Sequence, residues 1–171
     1  MLKTLLIAAA LTVAAPAAAQ PATPAEAMAP FKPLVGRWEG EGWIMRQGGR
    51  DQFIGREMIS EKLGGAAVLV EGRHLSKAKP DLVVHDALAV ITWSPLAKAY
   101  RFRSNLATGQ SGDYPMTVEP GRFTWTLTTP DGGKVEYLTV FDDKSWKETG
   151  RFSRDGTNWI PIFEMNLKKV P

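Results

Sequence analysis

Turn-forming residues recur at short, even intervals along most of this chain, and this spacing constrains the fold more than any other feature. Clusters of Gly, Pro and Asp separate runs of about eight to eleven residues that are rich in aromatic and β-branched side chains. Because apolar residues do not recur with the helical period, the pattern predicts an antiparallel meander. The predicted strands span residues 36–46, 52–62, 66–76, 84–93, 98–106, 113–119, 121–129, 134–141, 145–153 and 158–168.

Apolar and polar residues alternate within several of these strands. Phe123, Trp125 and Leu127 share one face of their strand, whereas Arg122 and Thr124 lie on the other. Such strands suit a sheet with one dry and one wet face. Ten of them can close into an up-and-down barrel, which removes both sheet edges, although a two-layer sandwich satisfies the same pattern. The expected fold class is all-β, and the barrel is the favoured architecture.

The start of the chain has the three parts of a secretory signal peptide over residues 1–19. Lys3 provides the positive charge, residues 5–15 form the apolar core, and three alanines precede the expected cleavage point. Pro16 interrupts the apolar run before the length of about 20 residues that a membrane span needs. The sequence therefore predicts a secreted, periplasmic protein with no membrane span after cleavage. Residues 20–33 form a Pro- and Ala-rich leader with a short helical segment, and residues 34–171 form the barrel domain.

Composition limits the classes of partner. The chain has no cysteine, so its core must stabilise the fold without disulfides, although export usually permits them. Its 21 basic and 18 acidic residues give a formal charge of +3, and the two signs are interleaved. Nucleic-acid-binding proteins usually carry a basic patch or stripe. No such patch is visible here, so nucleic acid is not an expected partner, and the oligomeric state is left open.

A set of short motifs in a fixed order resembles a known family. The motifs are Leu34-x-Gly36-x-Trp38-x-Gly40-x-Gly42, Lys62-Leu63-Gly64-Gly65, Val68-Leu69-Val70-Glu71-Gly72, Ile91-Thr92-Trp93-Ser94-Pro95, Lys98-Ala99-Tyr100, Trp146 with Glu148, and Asp155-Gly156 with Trp159. Together they resemble the uncharacterised DUF1579 family of exported, lipocalin-like barrels. The resemblance implies a ten-stranded barrel related in shape to lipocalins, fatty-acid-binding proteins and haem-binding nitrobindins. It also implies that Trp38 packs across the closed end, where Lys168 or Lys169 covers the indole.

The first predicted strand is interpreted as structural. Trp38, Gly40 and Gly42 fall on one strand face, and glycine within a strand marks a bend, a bulge or a close approach of another backbone. Gly36, Trp38 and Gly40 are therefore expected to close the barrel, with no part in binding.

Metal and haem sites are not expected. His74 and His85 are the only histidines, whereas zinc sites use three or four protein ligands. His85 and Asp86 are adjacent on a strand, so their side chains point to opposite faces. Nitrobindins take their haem ligand from a late strand, and nothing after His85 is a histidine. No cofactor is predicted.

Catalytic motifs are equally weak. The segment Gly109-Gln110-Ser111-Gly112-Asp113 lacks the final glycine and the helix of a nucleophile elbow. The carboxylate pairs Glu39/Glu41 and Glu57/Glu61 share strand faces, and we interpret them as part of a solvated surface. No catalytic residue is predicted.

Ligand binding in the barrel lumen is the function that the sequence favours. Glu148 shares a strand face with Trp146, which would place a polar group among apolar walls, as in many small-molecule pockets. The expected partner is a small hydrophobic or amphipathic molecule. One alternative is an enzyme in which Glu148 acts with Tyr137 or Arg103, and another is an envelope protein that binds partners through its outer face. The candidate lumen residues are Trp93, Phe102, Trp125, Tyr137, Trp146, Glu148 and Phe163.

Overall fold

A computed structural model describes residues 23–171, and ten antiparallel strands in this range form one closed barrel. The strands are β1 (Gly36–Arg46), β2 (Gly49–Lys62), β3 (Ala67–Ser76), β4 (Val83–Ser94), β5 (Ala99–Leu106), β6 (Ser111–Glu119), β7 (Arg122–Thr128), β8 (Lys134–Phe141), β9 (Ser145–Ser153) and β10 (Ile160–Val170). Each strand pairs with its neighbours in sequence, and β1 also pairs with β10. The predicted up-and-down barrel is confirmed, and the sandwich alternative is wrong.

A short helical segment precedes the barrel. It consists of α1 (Pro24–Ala27) and a 3₁₀ turn (Ala29–Leu34), and a second 3₁₀ turn (Leu63–Gly65) joins β2 to β3. Thr23 and Glu26 form a capping box, in which the Thr23 N–H donates to the Glu26 carboxylate and the Glu26 N–H donates to Thr23 Oγ1. This cap fixes the start of a segment that is too short to be stable alone.

The helical segment covers one end of the barrel, which we call the closed end. Phe31 and Leu34 are fully buried, and Phe31 packs edge-on against Tyr100. The Tyr100 hydroxyl donates to the Ala27 carbonyl at 2.6 Å. These contacts tie the segment to the strands, because they combine apolar burial with a satisfied buried donor.

Trp38 lies beneath this segment. Its indole N–H donates to the Leu34 carbonyl at 2.7 Å, and the side chain has no exposed surface. The Lys169 ammonium lies 5.0 Å from the centre of the indole ring and donates to the Pro33 carbonyl at 2.7 Å. Lys169, rather than Lys168, therefore covers the tryptophan with a cation–π contact.

The glycines of β1 permit a close strand approach. A Cβ atom at Gly40 would lie 2.0 Å from the Asn166 carbonyl oxygen in β10, a distance that the backbone could relieve only by moving. Gly36 has φ +132°, a conformation that side chains disfavour. The two glycines therefore set how tightly the first and last strands of the barrel join.

The outer wall is polar and carries cross-strand ion pairs. Asp113 in β6 accepts hydrogen bonds from Arg101 at 2.8 Å and Arg103 at 3.2 Å, both in β5. Arg151 in β9 pairs with Glu136 in β8. Such exposed pairs contribute little stability individually, so the interior holds the barrel together.

The predictions of a signal peptide and of no membrane span concern different parts of the chain. The signal peptide of residues 1–19 lies outside the described residues, and its export role remains a prediction. Within residues 23–171, no helix is both long enough and apolar enough to cross a membrane.

Candidate functional site

The middle of the barrel contains a cavity of about 220 Å³. It extends from Leu34 at the closed end to Gln110 and Ser111 at the β5–β6 hairpin, and every strand contributes at least one lining residue. A single water molecule needs only about 10–15 Å³ on the same measure. The cavity therefore has room for several waters or for one small organic molecule, somewhat below the usual range for drug-sized ligands.

One wall of the cavity is a stack of aromatic rings. Trp125 in β7 lies parallel to Tyr137 in β8, with ring centres 4.3 Å apart, and stacks on Phe102 in β5 at 4.7 Å. Phe163 meets Tyr137 edge-on at 5.8 Å. Burial raises the pKa of the Tyr137 hydroxyl above its usual value, so it stays neutral. The wall is a flat, rigid and mainly apolar surface.

A hydrogen-bonded acid and imidazole face this wall from β2 and β3. Glu57 and His74 are 8% and 3% exposed, and Glu57 Oε1 lies 2.8 Å from His74 Nε2. Glu57 pairs across the strands with Gly72, where a Cβ atom would lie 2.7 Å from both carboxyl oxygens. The glycine thus leaves room for the buried carboxyl group.

This pair shares one proton near neutral pH. Burial raises the pKa of Glu57 to about 8 and lowers the pKa of His74 to about 4. With the two pKa values shifted in these directions, the hydrogen-bonded pair holds a single proton near neutral pH and carries no net charge. The cause is the cost of placing an isolated charge in an apolar interior.

His85 extends the polar side of the lumen. Its ring lies 4.8 Å from that of His74, which stacks on Phe53 at 4.4 Å. Burial, followed by the neighbouring His74, lowers the pKa of His85 to about 4, while Asp86 acts in the opposite direction. Both imidazoles are therefore neutral at pH 7.

No metal centre is formed by these groups. Within residues 23–171, no three His, Asp or Glu side chains converge so that they could hold an ion. His74 Nε2, which could otherwise bind a metal ion, is hydrogen-bonded to Glu57. Both histidines lie on early strands, β3 and β4.

Glu148 is the second carboxyl group of the lumen. It lies on β9 and borders the cavity, and its Cα atom pairs with Thr139 in β8 and Met165 in β10. Its pKa is raised to about 8, mainly by burial and then by the neighbouring Glu57, although donation from the side chains of Thr139 and Trp146 acts in the opposite direction. The barrel walls enclose the side chain, but part of its surface contacts the cavity and no other side chain.

Two buried donors lie close enough to Glu148 to lower its pKa, but they lack hydrogen bonds of normal geometry within residues 23–171. The Thr139 hydroxyl and the Trp146 indole N–H are fully or almost fully buried, and neither makes a hydrogen bond of normal geometry to any described residue. An indole N–H can only donate, so it needs an acceptor. An unpaired buried donor costs about 1–3 kcal/mol. Such groups at a cavity are typical of a site that a ligand completes.

The structure brings six of the seven predicted lumen residues to the cavity. These are Phe102, Trp125, Tyr137, Trp146, Glu148 and Phe163. Trp93 is not among the lining residues, because it packs against Tyr100 at 4.7 Å next to the closed end. Arg103 lies on the outer wall with Asp113, so it cannot act with Glu148 as one alternative required. The predicted closing residues Gly36, Trp38 and Gly40 lie at the β1–β10 seam, outside the cavity lining.

Three polar site residues, Glu57, His74 and His85, were missed from the sequence. The interpretation of Glu57 as part of a solvated face is wrong, because it points into the lumen, whereas Glu61 near the end of β2 is exposed. The available signal was its two-residue phase with Phe53 and Ile59. That signal was masked by Met58, an apolar residue in the opposite phase that is 41% exposed. His74 likewise follows the inward phase of its strand.

Comparison with known proteins shows the fold alone. No family model matches the sequence, and no curated protein matches it. The chain is similar to the crystal structure of Rv2717c from M. tuberculosis, with a TM-score of 0.60 and 9% sequence identity. The match covers 82% of this chain and 95% of that chain. A barrel of the same architecture therefore exists with an almost entirely different sequence.

Proposed function

We propose that this chain is an exported member of the DUF1579 type of barrel and that it binds one small amphipathic molecule in its lumen. The observation that carries the proposal is the cavity of about 220 Å³ with an aromatic wall and two buried carboxyl groups. The apolar part of the ligand would lie against Trp125, Tyr137 and Phe102. Its polar group would meet Glu148, next to the Glu57–His74 pair.

The polar groups favour binding over a purely structural lumen. A core that serves only stability gains from apolar side chains, and each buried polar group without a partner lowers the free energy of unfolding. Here the carboxyl groups and the unpaired donors of Thr139 and Trp146 cluster around one cavity. Perturbed ionisable groups in a cavity are characteristic of functional sites.

Native mass spectrometry tests the proposal. The protein, purified from the periplasm of an expressing cell, should carry a co-purified molecule that organic extraction removes. Ser104→Phe would fill the cavity from β5 and should abolish this adduct, because Ser104 lines the lumen. Asn105→Phe, one residue along on the exposed face, is the matched control and should retain it. No adduct on the wild-type protein, together with no calorimetric binding of 2-phenylethanol, would contradict the proposal.

A second candidate is an enzyme on the same barrel, and one observation favours it. A carboxyl group with a pKa of about 8 can exchange protons near neutral pH, which suits a general acid. In this version Glu148 acts with the neighbouring Tyr137. Turnover of nitrophenyl esters or glycosides that disappears in Glu148→Gln and persists in the exposed variant Glu61→Gln would support it. Equal turnover in both variants would reject it.

A further inference from the structure

We propose that the lumen selects a cation, namely a small primary amine on an apolar body, and that its ammonium group lies against the Glu148 carboxylate. The inference rests on the proposed function and names the chemical class of its ligand. It follows from the acidic lining of the cavity, from the two donors beside Glu148 and from the aromatic wall.

The described side chains that border the cavity include acids but no group that is cationic at pH 7. Two carboxyl groups border it, and no lysine or arginine of the described chain does. Glu57 already has a partner in His74, whereas Glu148 makes no ion pair with any described residue. A buried carboxylate is stable only when an opposite charge and hydrogen bonds compensate for its lost hydration. A ligand cation supplies that opposite charge.

The two donors beside Glu148 would stabilise its ionised form in the complex. A carboxylate accepts several hydrogen bonds on its two oxygens, and a protonated carboxyl group accepts fewer. The Trp146 N–H and the Thr139 O–H are buried beside Glu148, and their influence lowers its pKa. Small adjustments on binding would let both donate to the carboxylate, with the ammonium as its third partner.

The aromatic wall suits the same ligand. Trp125 stacks on Tyr137 at 4.3 Å and on Phe102 at 4.7 Å, so its ring faces are covered by these neighbours and the wall offers an apolar surface to the body of the ligand. The apolar body of the amine can then lie against Phe102 and Phe163, which border the same cavity. A carboxylate ligand would instead meet two acids and no cationic side chain.

Binding of an amine should release a proton. Glu148 faces Glu57 from β2 and Tyr137 from β8, Tyr114 lies beyond Tyr137, and the nearby imidazoles are neutral at pH 7. With the pKa of Glu148 at about 8, the free protein holds its proton at pH 7. An alkylammonium, with a pKa near that of lysine, is already charged at this pH. The carboxyl proton therefore passes to the buffer when the ammonium binds.

Calorimetry with three matched probes tests the inference. At pH 7 we expect 2-phenylethylamine to bind at least about tenfold more tightly than 2-phenylethanol or phenylacetate, a ratio equivalent to about 1.4 kcal/mol. Titrations in buffers of different ionisation enthalpy should show nearly one proton released per amine. Glu148→Gln should remove the preference for the amine over the alcohol, so that the two probes bind about equally. Glu61→Gln, an exposed acid with the same charge change, should behave as wild type.

The outcomes separate this inference from the proposed function. Binding of the alcohol or the acid as tightly as the amine overturns the cation preference and leaves lumen binding intact. An unchanged preference in Glu148→Gln also overturns it, because the ammonium would then lie elsewhere. Failure of all three probes counts against both. If Glu148→Gln does not fold, the comparison of probes on the wild-type protein still decides.

Discussion

Two tryptophans that touch each other show how the closed end and the lumen differ. The rings of Trp38 and Trp146 meet edge-on, with centres 5.9 Å apart, and both side chains are buried. Trp38 donates its N–H to Leu34 and lies under Lys169, so its polar atom is fully satisfied. Trp146 lies on the cavity side of Trp38 and borders the cavity, and its N–H makes no hydrogen bond of normal geometry within the described part of the chain.

This difference separates a tightly packed end of the barrel from a cavity with incompletely paired polar groups. At the closed end, Trp38, Tyr100 and Lys169 all donate to backbone carbonyls, as expected of a region optimised for stability, and the buried Ser60 hydroxyl is an exception. In the lumen, Glu148, Thr139 and Trp146 retain unsatisfied capacity. Functional sites commonly retain such unfavourable groups while the rest of the fold supplies the stability.

The largest expected effect is on the closed end. Gly40→Ala should lower the free energy of unfolding by about 3 kcal/mol or more, because the new methyl group meets the β10 backbone and the strands must separate. Urea unfolding followed by tryptophan fluorescence measures the loss. Gly48→Ala, where nothing lies within 4 Å of the added Cβ, should cost far less. Equal costs at both positions would show that strand closure does not limit stability.

The tryptophan pair gives the next effect. Trp38→Phe leaves the buried Leu34 carbonyl without its donor and should cost about 1–3 kcal/mol beyond the change in packing. Trp146→Phe removes a donor that has no partner, so its cost should be smaller by about 1 kcal/mol or more. Unfolding in urea of both variants makes the comparison direct. A larger loss for Trp146→Phe would mean that its N–H is satisfied in the native protein.

The pH dependence of stability tests the lumen. The Glu148 carboxyl group keeps its proton up to about pH 8 when folded but only to about pH 4.5 when unfolded. The folded state binds more protons between these values, so this group makes stability fall as pH rises through the window. Glu148→Gln should therefore gain stability relative to wild type between pH 5 and pH 8, by about 1 kcal/mol or more.

Urea unfolding of both proteins at pH 5 and pH 8 measures this gain. Glu61→Gln serves as the control, since the exposed Glu61 should give a nearly constant difference from wild type. A constant difference for Glu148→Gln as well would place Glu148 in a solvated environment and contradict the assignment.

The smallest effect concerns Lys169. Lys169→Met removes the ammonium over Trp38 and its hydrogen bond to Pro33, and should cost about 0.5–1 kcal/mol. The effect should shrink in 1 M NaCl if the cation dominates, because salt screens charges at exposed sites. Lys168→Met, at the neighbouring exposed position, is the control. Equal losses of stability for both variants would show that the contacts of Lys169 with Trp38 and Pro33 do not stabilise the fold.

Much of the fold follows from local patterns. The ten predicted strands agree with those of the structure to within about three residues at each end, because turn residues and two-residue alternation are encoded within each hairpin. The choice between barrel and sandwich depends on pairing of β1 with β10, a contact between residues far apart in sequence. Local patterns do not specify such a pairing.

The site was only partly predictable for the same reason. Alternation was enough to place Trp125, Tyr137 and Glu148 on inward faces. It did not place Glu57 there, since Met58 gives the strand an equally apolar opposite phase.

The sequence by itself determined the strands, their turns and the aromatic character of the inner face, because these depend on neighbouring residues. Only the tertiary structure decided that Glu57, His74 and Glu148 share one cavity, since barrel closure brings β2 and β3 opposite β9. It also decided that, among residues 23–171, the indole N–H of Trp38 has a hydrogen-bond acceptor of normal geometry and that of Trp146 does not. The acceptor for Trp38 belongs to the helical segment that covers the closed end. Burial then shifts the ionisation of the enclosed acids, which no linear pattern records.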